Sequence, residues 1–137
     1  MSYLVDTNVV SELRKGARAH APVSLWFAGV NPNELFLSVL VVGELRQGTE
    51  RIRRRDPTAA AHLDRWLRGL VESYAERILP IDGRVAEVWG RLNVPDPLPA
   101  VDGLLAATAI VNDLTLVTRN ARQVLRTGVR LHDPFKS

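Results

Sequence analysis

The 137-residue chain has no cysteine, one methionine and only two lysines, Lys15 and Lys136. Without cysteine it has neither a disulfide staple nor a thiolate metal site, which fits a reducing compartment. Its core must therefore hold by packing. A chain of this length can manage that, because roughly two-thirds of its unfolded surface is buried on folding. The scarcity of lysine excludes a receiver-type phosphotransfer site, which needs a strand-end lysine beside its aspartate. The phosphate-cradling Gly-x-x-x-x-Gly-Lys-Ser/Thr loop of nucleotide kinases is also missing. No long hydrophobic run is present: the longest apolar stretch, Phe36 to Gly43, falls far short of the roughly 20 residues that span a bilayer. The opening Met1-Ser2-Tyr3-Leu4-Val5 runs into Asp6 with no basic leader, so the expectation is a cytoplasmic protein with no membrane partner. Repeats and low-complexity tracts are absent as well, and residues 1–137 read as a single domain.

The positive charge that is present is almost all arginine. Sixteen arginines and two lysines face 15 acidic residues, for a formal net charge of +3. So small an excess says little by itself, but guanidinium forks bind phosphate oxygens in pairs and stay charged in any setting, which makes nucleic acid the leading polyanionic partner.

Apolar spacing alternates between two periods along the chain. Tyr3 to Val5 reads as a strand that stops at Asp6, and Val9, Val10 and Leu13 then recur at helical spacing until Lys15-Gly16. A second helix is expected over Pro22 to Val30. Leu35 to Val39 reads as a second strand feeding a helix that runs through Glu44 to about Arg54. Leu63, Trp66, Leu67, Leu70 and Tyr74 form an amphipathic stripe leading to a third strand, Ile78 to Ile81. Val85, Val88, Trp89 and Leu92 mark the next helix, and Pro95, Pro97 and Pro99 force an extended loop. A helix rich in small residues follows from about Asp102 to Asn112, then a fourth strand (Leu114 to Thr118), a short helix (Ala121 to Arg126) and a fifth strand (Val129 to His132). Strands alternating with helices imply parallel pairing, hence an α/β fold: a three-layer α/β/α sandwich with a parallel five-stranded sheet.

In such sheets ligands bind beyond the carboxyl ends of the strands, and several polar residues fall there. Each has two readings. Asp6 either caps the next helix or belongs to a site at the sheet edge. Glu44, set among Val41, Val42, Gly43 and Leu45, either turns to solvent or needs a partner for a buried charge. Asp102 either caps its helix, where its charge also favours the dipole, or joins the other two. Thr118-Arg119-Asn120 either makes a simple turn with a cap at Asn120 or offers hydroxyl, guanidinium and amide to water or phosphate. The run Arg51, Arg53, Arg54 and Arg55 either complements its helix end or meets phosphate. His20, His62 and His132 are scattered singly and read as surface or edge residues. Three carboxylates brought to one edge would repel and raise one another's pKa unless a cation neutralised them. Magnesium or manganese suits such hard oxygen ligands, and its chemistry there would be phosphodiester hydrolysis by activated water.

In order and spacing, Leu4-Val5-Asp6-Thr7-Asn8-Val9-Val10-Ser11-Glu12, Ser38 to Glu44, Asp102 to Ala109 and Leu116-Val117-Thr118-Arg119-Asn120 resemble the PIN-domain family, and within it the VapC-type toxins of bacterial toxin–antitoxin pairs. The resemblance covers essentially the whole chain. It implies a Mg2+- or Mn2+-dependent endoribonuclease whose acidic site is Asp6, Glu44 and Asp102, with Thr118 and Asn120 beside it and Asp6 and Asp102 as the main metal ligands. It also implies an RNA substrate, a homodimer, and a small cognate antitoxin that plugs the site. One departure stands out: where the family usually has a further aspartate, this chain has Gln123, followed by Val124 where an aromatic is common. The expectation is therefore one well-formed metal site without a tightly bound second ion. The rival reading is a PIN-like RNA- or protein-binding module with weak or lost nuclease activity.

Overall fold

In the computed structural model, which describes residues 1–136, five short apolar segments pair in parallel. They are β1 (Tyr3–Val5), β2 (Leu35–Ser38), β3 (Ile78–Leu79), β4 (Thr115–Val117) and β5 (Leu131–His132). Their order across the sheet is β3-β2-β1-β4-β5. The chain thus builds outward from β1 on one side, then returns to build on the other, and the order reverses between β1 and β4. That reversal is where an open parallel sheet leaves a crevice at its carboxyl edge.

Among the described residues seven α-helices cover the sheet: α1 (Thr7–Leu13), α2 (Ala21–Ala28), α3 (Val39–Arg53), α4 (Pro57–Ser73), α5 (Gly83–Leu92), α6 (Ala100–Val111) and α7 (Ala121–Val124). Packing divides them into two groups, α1 with α2 and α3 and α3 with α4, against α5 with α6 and α6 with α7. Right-handed crossovers to opposite sides of β1 produce this division into two layers. The expected α/β/α sandwich is what forms. No helix among the described residues is long and apolar enough to cross a membrane.

Leu4, Leu35, Leu37, Leu116 and Val117 form the apolar centre of the sheet, each at most 2% exposed. The small residues of α6 pack close against it, with Leu105 through Ala109 all buried. The Thr108 hydroxyl in this tight layer donates to the Leu104 carbonyl at 2.8 Å, so this buried donor is satisfied.

Several boundaries differ from the periodicity. β2 ends at Ser38, not Val39, because the Ser38 hydroxyl caps α3 by accepting the Leu40 amide at 3.0 Å. β3 stops at Leu79 because Pro80 has no amide to donate to a neighbouring strand. Pairing of β5 is confined to Leu131–His132. α6 begins at Ala100, immediately after Pro99, so Asp102 sits inside its first turn and does not cap it. Gly128 turns with φ +78°, a left-handed conformation that glycine adopts without steric cost.

Part of the basic run at the end of α3 is committed within the protein. Asp64 on α4 accepts from both Arg46 and Arg53 of α3, the Arg53 contact at 2.6 Å, and Glu50 accepts from the same two arginines at 3.0–3.2 Å. Arg51, Arg54 and Arg55 remain exposed. Hydrogen bonds from Arg46, then Arg53, push the Asp64 carboxyl down to about 2. Because its folded value lies below its unfolded one, this clamp stabilises the protein above the ordinary carboxylate range and is lost as pH falls toward about 2. On acidification from about pH 4 to about pH 2, the melting temperature of the wild type is expected to fall further than that of Asp64→Asn. Parallel falls in the two proteins would remove this role from Asp64.

Candidate active site

β1 ends in a carboxylate that its own strand pairing delivers to the crevice. The Asp6 amide donates to the Val117 carbonyl at 2.9 Å, continuing the β1–β4 ladder by one residue, and the Asp6 carbonyl receives the Val9 and Val10 amides that open α1. The side chain is 5% exposed, and both its oxygens are engaged. Oδ1 accepts the Thr7 amide at 2.6 Å, and Oδ2 accepts the Thr118 hydroxyl at 2.6 Å, with the Asn8 amide at a longer 3.5 Å. Asp6 therefore caps α1 and also faces the crevice.

Above it opens a cleft of about 560 Å³, lined by Asp6, Thr7, Asn8, Glu44, Asp102 and Asn120, with Pro99, Ala100 and Val101 as one wall. Glu44 arrives from the second turn of α3, where the Thr7 hydroxyl donates to its Oε1 at 2.5 Å. Asp102 arrives from the first turn of α6, where the positive end of the helix favours its charge. Thr118 does not reach the cleft. It is 1% exposed, and its hydroxyl, besides donating to Asp6, accepts the Asn120 amide at 2.9 Å. Its place is behind Asp6, fixing the carboxylate from the β4 side. Gln123 is exposed on α7 and does not line the cleft.

Thr7 and Asn8 are the residues that periodicity did not single out. Both lie in the Asp6-Thr7-Asn8 segment, and the signal available was their position in the first turn of a helix that starts at a sheet edge. Thr7 bridges to Glu44, while Asn8 bridges to β4 by accepting the Arg119 amide at 3.2 Å. Of the histidines, His20 and His62 are exposed and His132 lies on the edge strand β5, all outside the cleft.

The cleft carries strong negative charge. Burial raises the Asp6 carboxyl above its ordinary value, hydrogen bonds from Thr118 and Thr7 partly offset this, and the Asp102 and Glu44 charges add to the rise. Burial likewise raises Asp102, with Asn120 opposing and Glu44 reinforcing. Among the described residues, none of these three carboxylates forms an ion pair with arginine or lysine. The donor set is all hard oxygen, which fits a magnesium- or manganese-type cation. Also among the described residues, no three Asp, Glu or His side chains are drawn close enough to hold an ion by themselves. Glu44 is drawn toward Thr7 and Asp102 toward Asn120. Magnesium tolerates this, since it binds through one or two carboxylates and keeps several waters.

A parallel α/β/α sheet with an acidic cleft at its switch point defines the class of domain. Within that class, the chain belongs to the PIN domain family, whose model matches residues 3–128. It is 28% identical over 137 residues to Toxin FitB of Neisseria gonorrhoeae, covering 96% of this chain and 97% of that one. It is 41% identical over 66 residues to Ribonuclease VapC14 of Mycobacterium tuberculosis, covering 48% of this chain and 63% of that protein. The crystal structure of FitAcB from Neisseria gonorrhoeae matches with a TM-score of 0.87 at 28% identity, covering 98% of this chain and 99% of that chain.

The raised values of Asp6 and Asp102 fix the sign of a pH effect. Their folded forms hold protons at pH values where the unfolded chain has lost them, so without a cation their contribution to stability falls as pH climbs from the ordinary carboxylate range through the folded values. Carboxyl 13C titration of the metal-free protein is expected to place both groups above ordinary aspartates, with magnesium bringing both down. Thr118→Val removes a hydrogen bond to the charged form and is expected to raise Asp6 further. Ordinary titration of Asp6 in the metal-free protein would contradict this description of the cleft.

Proposed function

We propose that the protein is the toxin of a toxin–antitoxin pair, a divalent-metal-dependent endoribonuclease that hydrolyses RNA phosphodiester bonds in the cleft lined by Asp6, Glu44 and Asp102. One observation carries the proposal: three carboxylates that form no ion pair among the described residues line a single open cleft at the switch point of the sheet. Membership of the PIN domain family supports it, as do the relatives named as a toxin and as a ribonuclease.

Asp6 and Asp102 are the residues proposed to hold the cation, Asp6 rigidly through Thr118 and Thr7, Asp102 from the start of α6. When bound, magnesium or manganese supplies positive charge for the phosphate oxygens and a water acidic enough to react at neutral pH. Glu44 is tethered through Oε1 to Thr7, which leaves Oε2 to orient the attacking water and take its proton. The water oxygen bonds to phosphorus as the bond to the leaving ribose oxygen breaks, and the open cleft lets solvent protonate that oxygen. Asn120 is placed beside Asp102 to donate to water or phosphate. Thr118 acts through Asp6 as a positioning residue.

The rival, a binding module with weak or lost turnover, draws on Gln123. That side chain lies outside the cleft, so the neutral amide leaves the three lining carboxylates as they are and bears only on a second ion. The homodimer, the small antitoxin partner and the cytoplasmic location belong to the same proposal and come with the family resemblance.

Asp6→Asn is expected to lower magnesium-dependent cleavage of a fluorogenic RNA by more than about a hundredfold, since even residues that only support metal ligands are worth ten to a hundredfold. Its overexpression is expected to spare growth that the wild type arrests. Cleavage that survived a chelator, or that proceeded equally in wild type and Asp6→Asn, would overturn the assignment.

A further inference from the structure

The Thr118-Arg119-Asn120 turn sends its outer residues to the site and its middle residue elsewhere. Thr118 is buried behind Asp6 and Asn120 lines the cleft, whereas Arg119 is exposed beside it. Two parts of the chain hold this arginine. Its backbone amide donates to Asn8 Oδ1 at 3.2 Å, and Asn8 is itself part of the cleft wall. Its guanidinium carbon lies 4.3 Å from the centroid of the Phe135 ring, within cation–π range.

Phe135 is held in turn. Its amide donates to Asp133 Oδ1 at 2.9 Å, its carbonyl oxygen is 3.0 Å from His20 Nε2, and its ring stacks on the His20 imidazole with centroids 5.9 Å apart at 21°. A guanidinium lying against a ring keeps its edge donors directed outward. Among the described residues no carboxylate or carbonyl accepts them, in contrast to Arg46, Arg53, Arg126 and Arg130, which are bonded within the protein. Arg119 is thus an ordered fork with unspent donors, next to a cleft whose carboxylates repel any polyanion that approaches.

We propose that Arg119 binds an RNA backbone phosphate flanking the scissile one, and that Phe135 is the positioning residue that holds its guanidinium there. The choice of RNA rests on the nuclease reading; the geometry of the fork does not. The arrangement makes the segment ending in Asp133-Pro134-Phe135 part of the substrate site, although it lies more than 100 residues from Asp6 along the chain. The pairing also sets a dependence: Phe135 matters for RNA only through Arg119.

The test is binding of a fluorescein-labelled single-stranded RNA in magnesium, across a series of salt concentrations, with Asp6→Asn as the common background so that cleavage does not consume the probe. Arg119→Ala is expected to weaken binding by roughly tenfold and to reduce the salt slope by about 0.7, the share of one phosphate contact on a single strand. Phe135→Leu, which keeps apolar bulk but loses the ring face, is expected to weaken binding roughly two- to fivefold. Phe135→Trp restores it, and Phe135→Leu combined with Arg119→Ala binds no worse than Arg119→Ala alone. An unchanged salt slope in Arg119→Ala overturns the proposal, and so does full additivity of the two losses. Failure of the protein with Asp6 intact to cleave RNA would remove the nuclease reading without altering these binding measurements, so the two failures are distinguishable.

Discussion

The hydrogen bond from the Thr118 hydroxyl to Asp6 joins the carboxyl ends of the two central strands at the point where the strand order reverses. Asp6 follows Val5 and Thr118 follows Val117, and those two valines are partners in the β1–β4 register. A slip of one residue would turn both side chains to opposite faces and dissolve the site. The bond also offsets the cost of burying a carboxylate, together with the Thr7 amide on the other oxygen. The offset is partial: burial still holds the Asp6 carboxyl above its ordinary value, and the Asp102 and Glu44 charges add to the rise, which is the electrostatic argument for the proposed cation.

From that anchor the other site residues arrive by short routes. Ser38 ends β2 and caps α3 with no intervening loop, which brings Glu44 to the crevice within two turns. The loop after α5 is shaped by Asn93, whose Oδ1 accepts the Leu98 amide at 2.8 Å, and by Arg126, which bonds the Leu92 and Asp96 carbonyls. That loop delivers Pro99 and the start of α6 as a cleft wall carrying Asp102. The net charge of +3 is then an average of two fields. Asp6, Glu44 and Asp102 gather over the sheet edge, while arginine is divided between internal clamps, as at Asp64, and exposed positions such as Arg119.

Much of this was legible in the sequence because it is local. The strand at Tyr3 to Val5 shows as an apolar run that stops at a carboxylate, and the alternation of strand and helix gives the parallel sandwich. The long stripe from Leu63 to Tyr74 gives α4. Boundaries were less legible wherever a single group decides them, such as the Ser38 hydroxyl or the amide that Pro80 lacks. Contacts between distant residues were not legible at all. Thr7 reaches Glu44 across 37 positions, Asn8 reaches Arg119 across 111, and Phe135 reaches back to His20 across 115. No spacing rule marks such pairs. The same holds for Thr118, which the sequence places beside the site and the fold places behind it.

Crystals grown in manganese and measured at its absorption edge test most directly whether this clasped carboxylate and its neighbours hold a cation. The proposed cation site predicts an anomalous peak in the cleft within coordination distance of Asp6 and Asp102, and none there in Asp6→Asn crystals treated alike. An empty cleft in wild-type crystals whose dissolved protein cleaves RNA with manganese would contradict it.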